Sequence, residues 1–327
     1  MKQHQFEIEN AKLWQEIEAI LGNHVGQRAS QLPQLYRRLC QSLALALQRG
    51  YSPALCDHLQ KLVHDCHEVM YGTMVARPLT LYRWIMIEFP QRVREERVLL
   101  WISMLAFWGV ALAIGLLVWF KPHWAYSFMS PDDLEQARAM YMGDSINKGR
   151  GGSEGDIYMW GLYIWNNVSI GFRTFAGGLL GGVPAIVSLA FNGMHFGVVG
   201  AWLSQDPETR NHFWSFVITH ASFEITGLIL CGQAGMRLGL ALLRPGRLSR
   251  RHALMDASER MFPVIIGAAS MIAFAAFFEG FWSASTSIPY QIKYLVGGMC
   301  WLIVIMFFVF AGRGEVAASG NQHYKQK

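Results

Sequence analysis

Apolar residues follow different patterns in the first third of this chain and in the rest. Up to about position 97 they recur at helical spacing among charged residues, which is typical of amphipathic helices. The first such segment holds Phe6, Ile8, Leu13, Trp14, Ile17, Ile20 and Leu21. Two further helices are predicted over residues 32–48 and 53–71. Residues 78–97 mix aromatic and basic side chains, and we expect them to lie on a membrane surface.

From position 98 onward the apolar stretches are long enough to cross a bilayer. Residues 98–120 form the clearest span, because a crossing needs about 20 apolar residues. Residues 213–243 are also long enough, and two more spans are predicted near residues 261–282 and 292–312. Between the first span and the others, residues 121–157 are mostly polar and predict a loop with one short helix at residues 131–141.

The middle of the apolar region is harder to interpret. Residues 158–175 are aromatic and amphipathic, and we expect them to lie in the interface or to re-enter the membrane. Residues 175–202 are rich in glycine and predict two short membrane helices that turn at Asn192-Gly193. Glycines spaced four apart, such as Gly193 and Gly197, allow close helix packing. The total is about six crossings.

The predicted fold class is therefore all-α: a polytopic helical membrane domain of about six spans, some short and glycine-broken, preceded by an N-terminal cytoplasmic helical domain. The predicted bounds are residues 1–97 for the cytoplasmic domain and 98–312 for the membrane domain. Residues 121–157 form its extracytoplasmic loop, and residues 313–327 form a cytoplasmic tail. Arginines beside the first span and in the loop before residue 252 place those segments inside by the positive-inside rule.

Composition agrees with a membrane protein. Of the 327 residues, 52% are hydrophobic and only 16% charged, which is too apolar for an ordinary soluble enzyme or a disordered chain. The net charge of +5 comes largely from residues beside membrane segments, so we expect no nucleic-acid partner. The spacing of the five cysteines favours reduced thiols, and no cofactor is expected.

The strongest chemical signal is a set of polar residues inside apolar segments, since such residues usually face the protein interior and often have a function. The candidates for a ligand or ion site are His220, Glu224, Gln233, Arg237, Glu279, Asn192 and His195. Asn166 and Asn167 are expected to be structural polar residues. His220 and Glu224 share a helix face, and His220 or Glu279 is the favoured partner of Glu224.

Three interpretations of this set stay open. The polar groups hold neighbouring helices together, or they form a ligand, ion or proton site, or they support metal-assisted hydrolysis. The third is weakest, because one His-x-x-x-Glu motif supplies only half of a zinc site. No residue is assigned as catalytic or as a metal ligand from the sequence.

Several of these residues also resemble the motifs of a known family. The chain resembles the stage II sporulation protein M family in the run from His220 to Glu224, in Gly235-Met-Arg237-Leu-Gly239 and in Glu279. Further pieces are Leu35-Tyr36-Arg37, the spacing of His67 and Tyr71, Asn166-Asn167, residues 175–182, Asn192-Gly193 and Gly197. The family usually has glycine after the histidine, where this chain has Ala221.

The resemblance implies a membrane protein without an established catalytic activity. In spore formers the family member works in a complex that remodels peptidoglycan, and related genes elsewhere often neighbour a MoxR-type ATPase. We therefore expect a non-enzymatic scaffold in the inner membrane of a bacterium, with both termini cytoplasmic. The expected partners are the lipid bilayer, a MoxR-type ATPase or envelope proteins, and a second copy in a homodimer. The alternatives are a transporter or channel that uses the intramembrane Glu, His and Arg residues, and an intramembrane metal-dependent hydrolase.

Overall fold

The computed structural model describes residues 3–22, 32–71, 78–142, 153–285 and 287–313, and no strand occurs among them. The all-α prediction is confirmed. The chain packs as two units, Met1–Pro78 and Leu79–Lys327. The predicted C-terminal tail lies outside the described residues, except for its first position.

The described residues of the first unit form three helices, α1 (Gln3–Gly22), α2 (Leu32–Gln48) and α3 (Pro53–Tyr71). The bounds of α2 and α3 are those that the apolar spacing predicts. Ile17, Leu39 and Leu59, one from each helix, are completely buried and form the centre of the core. This unit therefore has a hydrophobic core of its own.

Residues 79–97 pack with the membrane unit, so the boundary between units lies near residue 78 rather than at residue 97. The segment contains α4 (Pro78–Arg83), a π-helical stretch (Trp84–Glu88) and α5 (Phe89–Glu95). Phe89 is buried, and its ring lies directly against Gly267. Of the aromatic residues that suggest a surface helix, Phe89 therefore contacts other helices, whereas Tyr82 is 60% exposed.

Among the described residues of the membrane unit, five helical segments are long and apolar enough to cross a membrane. The first is α6 (Arg97–Met104), a π-helical stretch (Leu105–Gly109) and α7 (Val110–Phe120) in succession. The others are α10 (Val183–Gln205), α11 (Pro207–Leu243), α12 (Arg250–Phe277) with a π-helical extension (Phe278–Ser283), and α13 (Tyr290–Phe310). After the first span, the predicted loop contains a 3₁₀ turn (Pro122–Ser127) and α8 (Pro131–Tyr141).

A sixth long helix, α9 (Ser153–Gly178), includes the segment predicted to be interfacial or re-entrant. It is continuous over 26 residues, which is about 39 Å. Near its start the ring of Trp160 packs at a tilt against that of Phe281, and at its end Gly178 lies against Gly235. The helix therefore runs from one end of the membrane unit to the other, and the loop predicted to reach residue 157 ends before Ser153.

The predicted turn at Asn192-Gly193 is wrong, because α10 continues through both residues. The Asn192 side chain donates to the Ser188 carbonyl oxygen at 2.8 Å, within its own helix. The turn lies earlier, where Gly181 and Gly182 adopt φ of +79° and +86° between α9 and α10. Gly193 instead allows close packing, since a Cβ there would overlap the Phe107 carbonyl.

Side-chain contacts at the two ends of the membrane unit show how its helices are directed. At one end, which we call the basic end, Arg94 donates to the carbonyl oxygens of Phe308 and Ala311 at 2.8 and 2.7 Å. At the opposite end Arg138 of α8 pairs with Asp206 at 2.8 Å, and Gln205 donates to the Val118 carbonyl oxygen. These contacts show which helix ends lie together, so the six long helices alternate in direction.

Candidate functional site

The polar residues predicted to form one site lie in two groups on α11. His220 and Glu224 lie in its first half, and Gln233 and Arg237 in its second. Arg237 is 13 residues beyond Glu224, or about 20 Å along the helix. Buried apolar residues occupy the stretch between them, among them Ile225, Leu228, Ile229 and Leu230. The structure therefore describes two separate sites.

The first group, which we call the His–Glu cluster, consists of His220, Glu224 and Glu279. One ligand atom from each residue lies within 4.8 Å of the other two. His220 Nε2 is 3.8 Å from Glu224 Oε2, and the His220 side chain is only 7% exposed. The two partners expected as alternatives for Glu224, His220 and Glu279, thus both lie beside it.

Two local features assemble this cluster. The four-residue spacing on α11 places His220 and Glu224 on one face. Glu279 comes from the π-helical extension of α12, and Ser283 of the same extension lies 3.1 Å from His220 Nδ1. π-Helical turns are frequent at functional sites, because the wider turn redirects side chains.

The third side of the cluster is α9. Asn167 Nδ2 donates to Glu279 Oε2 at 3.1 Å, and Asn166 Nδ2 donates to Asn167 Oδ1 at 3.0 Å. The two asparagines expected to be structural therefore reach the cluster, directly in the case of Asn167.

Tyr141, at the end of α8, lies next to the cluster. Its ring packs edge-on against Phe213 at 5.1 Å and against Phe216 at 5.8 Å. Burial raises the pKa of the Tyr141 phenol above its usual range, and the nearby charges of Glu279, Tyr163 and Glu224 raise it further. The phenol therefore stays protonated beside the two carboxylates. Nothing in the pattern of α8 indicated this position.

Lys293 of α13 binds the backbone at Ser283, next to the cluster. Its ammonium group donates to the carbonyl oxygens of Ser283 and Ser285, both at 2.7 Å. Lys293 is almost fully buried and fixes the end of the π-helical extension. A lysine near the start of an apolar span was the sequence signal for it.

The second group joins α11 to the break between α5 and α6. Arg237 Nε donates to Glu96 Oε1 at 2.6 Å, and Gln233 Nε2 donates to the carbonyl oxygens of Val93 and Glu96 at 2.8 and 3.1 Å. Glu96 interrupts the helix with φ −97° and ψ 41°. The group therefore holds a helix break in place. Glu96 was not among the predicted residues.

Asn192 and His195 join neither group. Asn192 bonds within α10, as described above. His195 lines a cavity of about 550 Å³ under α8, together with Ser130, Asp133 and Tyr141. The set of seven candidates is thus divided among four places.

Comparison with known families identifies the family to which the chain belongs. A family model described as stage II sporulation protein M matches residues 98–284, which is more than half of the chain. The chain therefore belongs to the stage II sporulation protein M family. A second model, of a domain of unknown function (DUF8413), matches residues 4–72, which cover the helices of the first unit. Comparisons with curated proteins and with solved structures found no match.

The family match confirms the resemblance to the stage II sporulation protein M family that residues of α11 indicate. The match to the stage II sporulation protein M family includes His220, Glu224 and Glu279, and it ends one residue after Ser283. It also includes Gln233 and Arg237, but their partner Glu96 lies just before its first residue.

Proposed function

We propose that this protein is a non-enzymatic scaffold of the bacterial inner membrane that acts in envelope homeostasis or remodelling. The supporting observation is that the chain combines two kinds of unit. One is a three-helix unit with a hydrophobic core of its own, and the other is a membrane unit in which backbone atoms of neighbouring helices are in contact. The first unit is suited to hold a MoxR-type ATPase or another envelope protein, and the second to anchor it. A homodimer would double the number of docking units.

A transport path that uses His220, Glu224, Arg237 and Glu279 together has little support. Such a path would have to cross the buried apolar stretch of α11 between Glu224 and Gln233. Arg237 is also engaged with Glu96 at the basic end. The distribution of polar groups favours a scaffold over a conduit.

Complementation tests the scaffold. In a strain that lacks the gene, we expect the full chain and Glu224→Gln to restore resistance to envelope stress and to capture the MoxR-type ATPase equally. A shortened chain of residues 79–327 should insert in similar amounts, because its helices pack among themselves, yet lose both. Rescue and capture by the shortened chain would contradict docking through the first unit.

A second candidate is an intramembrane metal-dependent hydrolase, which the convergence of His220, Glu224 and Glu279 favours. In that case Glu224→Gln should insert normally and fail to restore stress resistance, because a ligand or base has lost its charge. Failure of Glu224→Gln together with unchanged capture of the ATPase would select the hydrolase over the scaffold.

The proposed orientation places the basic end in the cytoplasm, because arginines concentrate there. Single cysteines introduced by Leu248→Cys and Lys121→Cys, in a chain without its own cysteines, report the two ends. In whole cells an impermeant thiol reagent should label position 121 and not position 248. After lysis both should react, and the reverse pattern in whole cells would overturn the orientation.

A further inference from the structure

We propose that His220, Glu224 and Glu279 bind one divalent transition-metal ion, with Zn²⁺ as the best fit. The three residues come from two helical segments and converge inside the membrane unit. The sequence motif supplies two of the ligands, and the packing of α12 against α11 supplies the third. This site goes beyond the scaffold function and does not depend on it.

The distances suit an ion of this size. Zn²⁺ binds His nitrogen and carboxylate oxygen at about 2.0–2.2 Å in a tetrahedral arrangement, which separates neighbouring ligand atoms by about 3.4 Å. His220 Nε2 and Glu224 Oε2 are 3.8 Å apart, and Glu279 completes a set within 4.8 Å. The ligand atoms need only small rotations of side chains to meet one ion.

The histidine is oriented for this role. His220 Nε2 and Glu224 Oε2 are 3.8 Å apart, which is too far for a direct hydrogen bond and leaves space between them. The other ring nitrogen, Nδ1, lies 3.1 Å from Ser283 Oγ. When Ser283 accepts the Nδ1 proton, the lone pair of Nε2 points to the two carboxylates, which is how second-layer groups fix metal-binding histidines.

The carboxylate from α12 is also positioned. Asn167 donates to Glu279 Oε2 at 3.1 Å, which helps to fix the orientation of the carboxylate. The imidazole of His220 favours Zn²⁺ over hard ions such as Ca²⁺ and Mg²⁺, which prefer ligand sets made of oxygen alone. A three-ligand protein set leaves a fourth position open, as in zinc sites that hold water or substrate.

Metal analysis of the purified full chain tests this site. The protein is prepared in detergent without a histidine tag, incubated with ZnCl₂, passed through gel filtration and measured by mass spectrometry of zinc. We expect the wild type to retain about one zinc ion more per chain than Glu224→Gln, Glu279→Gln or His220→Gln. His195→Gln and Glu208→Gln are matched controls outside the cluster, and both should retain zinc as the wild type does.

A second readout avoids dependence on the folding of the variants. Zinc should raise the melting temperature of the wild type, a chelator should reverse the shift, and MgCl₂ should not produce it, because a ligand that binds only the folded state stabilises it. Equal zinc in wild type and cluster variants would overturn the proposal, as would a wild-type melting temperature that zinc and chelator leave unchanged. Those results would indicate that the cluster shares a proton instead. The scaffold test measures capture of a partner, so the two proposals fail separately.

Discussion

Alanine at Gly178 should lower the stability of the membrane unit by about 1–3 kcal/mol or more, the cost typical of overpacking. A Cβ at this position would overlap the backbone of Gly235 on α11, and Gly239 in turn lies against the Gly178 carbonyl. Both neighbours are backbone atoms of a long helix and have no side-chain rotamer through which to yield. Relief requires α9 and α11 to separate, which loses packing along both.

Gly298→Ala is the matched control for this substitution. Gly298 also lies in a membrane helix, α13, but a Cβ there would have no atom within 4 Å. Alanine favours helix over glycine by about 1 kcal/mol, so the control should be neutral or slightly stabilising. The test is to compare the melting temperatures of both variants with that of the wild type in the same detergent. Equal melting temperatures for Gly178→Ala and Gly298→Ala would mean that the helices do not approach as closely as described.

The same contacts explain why some elements were predictable and others were not. The helices α2, α3 and α8 follow from local apolar spacing, and their bounds agree with the prediction. The turn at Asn192-Gly193 was a reasonable prediction in water, where this pair favours turns. Within the bundle, Asn192 bonds to the Ser188 carbonyl and Gly193 packs on Phe107, so the helix continues. Which glycines turn the chain and which pack is decided by tertiary contacts.

The candidate site divides in the same way. The pairing of His220 with Glu224 was predictable, because a four-residue spacing fixes it within one helix. The approach of Glu279 depends on the antiparallel packing of α12 and on its π-helical extension, which leave no periodic signal. The polar residues of 158–175 predict an interfacial segment, whereas in the structure Asn167 of α9 bonds to Glu279 of the cluster.

Residue spacing cannot reveal the partner of Arg237, which is Glu96 on another helical segment. Loss of this ion pair is the second change from which we expect a large loss of stability. The two side chains are only 20% and 23% exposed and meet at 2.6 Å. Arg237→Met should destabilise the protein by about 2–4 kcal/mol, because loss of one partner leaves a mostly buried charge without compensation. Glu96→Met should cost a similar amount for the same reason.

The double variant Glu96→Met/Arg237→Met separates pairing from packing. If the cost of each single change is the stranded charge, the double variant should be more stable than the sum predicts by about 1–3 kcal/mol, the range for residues in contact. Arg92→Met is the matched control, since Arg92 pairs with Glu95 at 2.8 Å in a more exposed setting and such pairs contribute about 0–1 kcal/mol. Melting temperatures in detergent give all four values. Strict additivity of the Glu96 and Arg237 changes would show that the ion pair does not couple α11 to the helix break, and that Gln233 alone, through Val93 and Glu96, holds it.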